Sequence, residues 1–192
     1  MKRPPLNPWL CLAFAGGILY PLFVYFGIAH VPATIIIIFG LALIVLRLVG
    51  LRQKTGTTAW IIASLIAAAL LIFLSLRDGP LALKAYPIVM SLSVSVVFTF
   101  SLFYPPTIIE RIARLTEPNL PPEGVFYTRQ LTVLWALFLF VNALISTATA
   151  LWGSLAQWTL WNGLISYILM GIFFVGEILV RPLVKARRLV KR

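Results

Sequence analysis

Catalysis needs side chains that ionise, donate or attack, and this 192-residue chain has few of them. Glu110, Glu117 and Glu123 are the only carboxylates close enough in sequence for paired acid and base work, and all three fall in a segment, 105–129, that reads as water-exposed. His30 is the sole histidine and Cys11 the sole cysteine, so neither supports a metal cluster, a redox motif or an intrachain disulfide. Gly153-Ser154 lacks the second glycine and the base of a nucleophile elbow, and no Gly-rich phosphate loop is present. The chain is therefore expected to be non-enzymatic, with no cofactor and no metal.

Glu177 is the sharper suspect, because a carboxylate in an apolar run is by default a functional residue. Arg181, four residues on, is placed to pair with it on a helix, so a structural and a site role both stand open. Ser91, Ser95 and Thr99 repeat every four residues, and Asn142, Ser146 and Thr149 continue the theme further along. Asn142 unpaired in lipid would cost several kcal/mol, whereas a hydrogen bond across helices contributes ~0.6–2 kcal/mol. These polar faces are either helix-packing contacts or a groove for a lipid head group between the fourth and fifth apolar runs.

The elements that position them are membrane spans. A chain 61% hydrophobic and 11% charged has more apolar surface than a water-soluble core can use, which puts it in the integral membrane class. Its net charge of +11 does not mark nucleic-acid binding, since the cations fall in short runs between apolar segments. A bilayer-crossing helix needs roughly 20 apolar residues, and six runs qualify: 9–28, 33–49, 57–76, 83–103, 131–152 and 158–180. The fold expected is all-α and polytopic, a single membrane domain over residues 1–192. Under this topology Arg77 and Lys84 lie on one face and the other Lys and Arg residues of the sixteen on the opposite face. The positive-inside rule then makes both termini, the loop at 51–56, the 105–129 segment and the basic tail 181–192 cytoplasmic.

Within 105–129, the run from Thr107 to Leu115 begins after a Pro-Pro pair and ends ahead of Glu117-Pro118, which bounds a short helix. Ile108, Ile112 and Leu115 recur at i, i+4, i+7 as a docking face, leaving Glu110, Arg111 and Arg114 outward as a surface for a partner or the membrane interface. In the third span Ala59, Ala63 and Ala67 form a small-residue stripe that admits a close neighbour. Trp152, Trp158 and Trp161 edge the last hairpin, as indoles do at the headgroup level. The polybasic tail suits the anionic inner leaflet.

The run Lys84 through Tyr104, then Pro106-Thr-Ile-Ile-Glu-Arg, Leu120-Pro, and Tyr127 into Leu134-Trp135-Ala-Leu-Phe with Asn142 downstream, resembles the bacterial intracellular septation protein A family. PPTIIERIARL and LPPEG also resemble a related group of membrane proteins encoded with aryl-polyene biosynthesis genes. The resemblance implies a bacterial inner-membrane protein of the cell envelope, with division or peptidoglycan-synthesis proteins as partners and no assigned catalytic activity. The expected function is a scaffold or accessory factor in envelope biogenesis or septation. The alternative is a small lipid or aryl-polyene carrier using Ser91, Ser95, Thr99, Asn142 and Glu177.

Overall fold

A computed structural model describes residues 8–27, 30–51, 58–77 and 79–189. The 52–57 loop and the cations Lys2, Arg3, Arg52, Lys54, Lys191 and Arg192 lie outside the described residues. Among those described, every element is helical: α1 (Pro8–Gly27), α2 (Ala33–Leu51), α3 (Thr58–Arg77), α4 (Gly79–Phe103), α5 (Ile108–Arg114), α6 (Pro122–Trp152), α7 (Leu155–Leu160), a π-turn (Trp161–Ile165) and α8 (Ser166–Leu189). Four stretches are long and apolar enough to cross a membrane: α3, Pro80–Phe103, α6, and Leu155–Arg181. The apolar stretches Cys11–Gly27 and Thr34–Gly50 are shorter.

α4 is the central helix, in contact with α1, α2, α3 and α6. Small side chains make this possible. Ala63 and Ala67 of α3 are buried, and the Ser93 hydroxyl of α4 lies 2.6 Å from the Val89 carbonyl and 3.4 Å from that of Ala63. On the other side Ser95 donates to the Ala136 carbonyl of α6 at 2.8 Å. Because lipid offers apolar side chains no less comfort than protein does, close approach and such hydrogen bonds, rather than apolar burial, hold the helices together. The apolar core gathers Tyr20, Val24, Ile36, Ile44, Tyr86 and Trp158, with Tyr20 and Tyr86 4.4 Å apart between ring centroids.

Gly153 and Ser154 alone join α6 to α7. A Cβ at Gly153 would meet the Thr149 carbonyl at 2.6 Å, so only glycine allows so abrupt a stop. Ser154 then caps α7 reciprocally with Gln157, a capping box that starts the next helix at once.

Several expectations are corrected here. α6 starts at Pro122, not near 131, because Pro121-Pro122 suits a helix start and residues 122–130 contain nothing that stops one. Its 31 residues span ~46 Å, so its first turns project beyond a ~30 Å hydrocarbon core and hold α5. The basic tail expected from 181 is not set off from the last span, since α8 continues through Pro182 to Leu189. Trp158 is not an interfacial anchor: its ring is 0% exposed, while Trp152 alone of the three tryptophans is well exposed.

The partition of α5 is reversed in part: Arg111 is exposed as expected, but Glu110 is not. Thr107, Glu110 and Ala113 are buried, whereas Ile112 is 59% and Leu115 75% exposed. Glu110 tolerates burial because Arg114 reaches it at 2.8 Å, with Nε at 2.9 Å. Thr107 caps the Glu110 N–H, Ser101 accepts from the Ile108 N–H at 3.2 Å, Arg111 Nε donates to the Pro106 carbonyl at 2.8 Å, and Arg114 Nη1 to that of Pro118 at 3.0 Å. The polar face of α5 takes the protein contacts and leaves Ile112 and Leu115 exposed.

Candidate functional site

α6 and α8 touch through aromatic rings and then part. Phe173 lies 5.4 Å from Trp135 and 5.3 Å from Phe138, ring centroid to ring centroid. Beyond this clasp, towards the α5 end, a cleft of about 390 Å³ opens between α5, α6 and α8. Ile109, Ile112 and Ala113 of α5, Tyr127, Leu131 and Trp135 of α6, and Phe174 and Ile178 of α8 make its apolar wall. Glu177 and Arg181 line the same cleft. A second hollow of about 340 Å³ on the other flank shares Tyr127, Leu131 and Glu177, so Glu177 faces the gap between the two helices from both sides.

The expected pair between Glu177 and Arg181 does not form: no Arg181 nitrogen lies within 4.0 Å of the carboxylate. An accessible i,i+4 pair contributes only ~0.3–0.5 kcal/mol, too little to fix two long side chains against other contacts. The result is an apolar cleft carrying one group of each sign, both available to a guest. Such an arrangement offers an amphiphile an apolar wall with a carboxylate and a guanidinium on it.

The polar faces do not make one groove. Ser91 and Ser95 are 400° apart around a helix and Thr99 another 400°, a drift of ~40° per step that carries Thr99 off the packed side. Ser95 and Thr99 line an open, otherwise apolar groove on one flank of α4 and α6. Ser91 and Asn142 look to the opposite flank, joined by a 3.0 Å hydrogen bond from the Asn142 amide. Asn142 Oδ1 accepts from the Trp161 indole at 3.1 Å, and Ser146 donates to Asn162 Oδ1 at 2.7 Å. Both asparagines therefore act as interhelical contacts.

Two features had no clear sequence signal. The π-turn at Trp161–Ile165 begins where Trp161 and Asn162 turn into the bundle, and π-turns often accompany functional sites. Arg47 of α2, expected only to mark a cytoplasmic end, is just 8% exposed. Its guanidinium sits 5.1 Å over the Trp60 ring and 3.5 Å from Met90 Sδ.

Comparison with family models, with curated proteins and with solved structures finds no match for this chain.

Proposed function

We propose that the chain is a six-span bacterial inner-membrane protein, both termini cytoplasmic, which binds a lipid-like amphiphile in the α5/α6/α8 cleft as a non-enzymatic accessory of envelope biogenesis. The observation that carries this is Glu177 and Arg181, without an ion-pair partner among the described residues, on an apolar cleft of about 390 Å³. The apolar wall takes an acyl or polyene chain; Arg181 takes an anionic head group and Glu177 an amine or hydroxyl. This moves the binding groove from the fourth and fifth spans to the wedge between α6 and α8. The six-span count follows if the stretches of α1 and α2, at ~17 residues each, cross at the lower limit of helix length. The envelope setting comes from the resemblance to the septation protein A family.

Topology has a direct test. A reporter active only outside the cytoplasm is expected to be silent when fused after Arg192 and active when inserted at Gly153–Ser154. Activity after Arg192 would exclude the assigned orientation.

For the cleft, a photocrosslinking residue at Ile109 or Tyr127 is expected to capture a lipid species enriched several-fold over its share of the membrane. The outward position Leu144 should capture bulk composition. Arg181→Gln is expected to reduce the enriched adduct ~tenfold, the equivalent of a charge-assisted hydrogen bond of ~1.5 kcal/mol. Identical lipid profiles from Tyr127 and Leu144 would end the proposal.

The outward Leu115 favours a second role, a docking surface for an envelope protein, together with the exposed Arg111. A discrete protein adduct from a crosslinker at Leu115, lost in Arg111→Glu, would support it. Arg114 is unsuitable for this test because it neutralises buried Glu110.

A further inference from the structure

A separate cavity of about 190 Å³ lies inside the bundle between α1, α4, α6 and α8, with the π-turn in its wall. Its polar lining is Tyr86, Ser91, Asn142, Asn162, Ser166 and Tyr167. Ser91 is twelve residues into α4, ~18 Å along the helix and about midway through a bilayer core.

The hydrogens in this wall can be assigned. An indole N–H only donates, so the Trp161 contact fixes Asn142 Oδ1 and turns its amide to Ser91. A backbone carbonyl only accepts, so the 2.9 Å contact to Trp158 fixes the Asn162 amide nitrogen. Tyr167 donates to the Gly17 carbonyl at 3.2 Å. The hydroxyls of Tyr86, Ser91 and Ser166 then donate to no acceptor among the described residues, and Asn142 and Asn162 each keep one further N–H. Tyr86 and Ser166 are more than nine-tenths buried. Among the described residues the fully enclosed side-chain polar atoms without a partner are Trp158 Nε1 and Thr159 Oγ1, so the Tyr86 and Ser166 oxygens face the cavity. Both carboxamide oxygens are already engaged, which leaves five free O–H and N–H donors in the wall and only hydroxyl oxygens to accept.

Positive charge stands behind Met90, which lines the cavity: Arg47 Nη1 lies 3.5 Å from its sulfur. Among the described residues no carboxylate forms an ion pair with Arg47. A buried cation in the membrane needs a counter-charge, and no carboxylate among the described residues supplies it.

We infer that this cavity is a binding site for a small monovalent anion, of halide or short-carboxylate size, held by the hydroxyls of Tyr86, Ser91 and Ser166 in the field of Arg47. Water would satisfy the donors but leave the guanidinium uncompensated in a low-dielectric interior.

The test uses the purified full chain in detergent, with its thermal midpoint followed at constant ionic strength in sodium gluconate, chloride, bromide or formate. Chloride, bromide and formate are expected to raise the midpoint with saturation, whereas gluconate, too large for the cavity, does not. Tyr86→Phe and Ser166→Ala each remove one donor with little change of volume and are expected to raise the half-saturating chloride concentration ~tenfold. Arg47→Gln should abolish the response; because that variant could fold poorly, the two hydroxyl variants carry the decision. A wild-type midpoint indifferent to the anion, or a chloride response unchanged in the Tyr86→Phe/Ser166→Ala double variant, overturns the site and leaves a hydrated cavity.

Discussion

Trp158→Ala is expected to be the most damaging single substitution in the described bundle, lowering stability by ~3–5 kcal/mol. The ring is 0% exposed and belongs to the core formed with Tyr20, Val24 and Ile36, where α7 packs against α1. Between membrane helices little of that loss is water transfer; it is the void left and the dispersion contacts removed. Trp158→Phe provides the contrast. The indole Nε1 has no acceptor among the described residues, so phenylalanine sheds an unsatisfied donor while keeping most of the packing, and a loss under ~1.5 kcal/mol is expected. Reversible unfolding in mixed micelles, or the thermal midpoint by size-exclusion chromatography, separates the two. Equal losses for alanine and phenylalanine would show that Trp158 acts through its N–H after all.

Asn142→Leu is expected to cost about 3 kcal/mol, the second-largest effect. It deletes the bonds to Ser91 and Trp161 and leaves the Trp161 indole N–H, donor-only, without its acceptor. Interhelical hydrogen bonds contribute only ~0.6–2 kcal/mol each in lipid, so the orphaned indole is an appreciable part of the cost. A double variant, Asn142→Leu with Trp161→Phe, removes both partners and should recover ~1–2 kcal/mol relative to the sum of the single variants. Strict additivity would mean that the Trp161 contact contributes nothing. Lipid capture from Tyr127 in the remote cleft should be unchanged in Asn142→Leu at equal protein level.

Much of the architecture was legible from composition and local rules. The apolar runs map onto α1 to α4 within a few residues, except that α4 starts at Gly79, four residues before the expected span. The Pro-Pro pair and Glu117-Pro118 bounded α5, and Ala63, Ala67, Asn142 and Ser146 were expected to face inward and do. These are properties of single helices, fixed by length, proline chemistry and the cost of a bare polar group in lipid.

What tertiary structure decided was which neighbour each face meets. The amphipathic pattern of α5 gave its two faces but not their direction, because bilayer and protein interior are both apolar and periodicity cannot distinguish them. Hence buried Glu110, with Arg114 to neutralise it, and outward Ile112. Trp158, Trp161 and Asn162 were invisible as core residues for a similar reason: an indole near a span end is read as interfacial unless a polar partner across the bundle draws it inward. Glu177 and Arg181 could be placed on one helix face from sequence, but only the divergence of α8 from α6 opens the cleft between them. Arg47 looked like a topological marker until the packing of Trp60 and Met90 enclosed it. Sequence spacing determined the helices and the distribution of their charges; the angles between the helices determined where those charges could meet a guest.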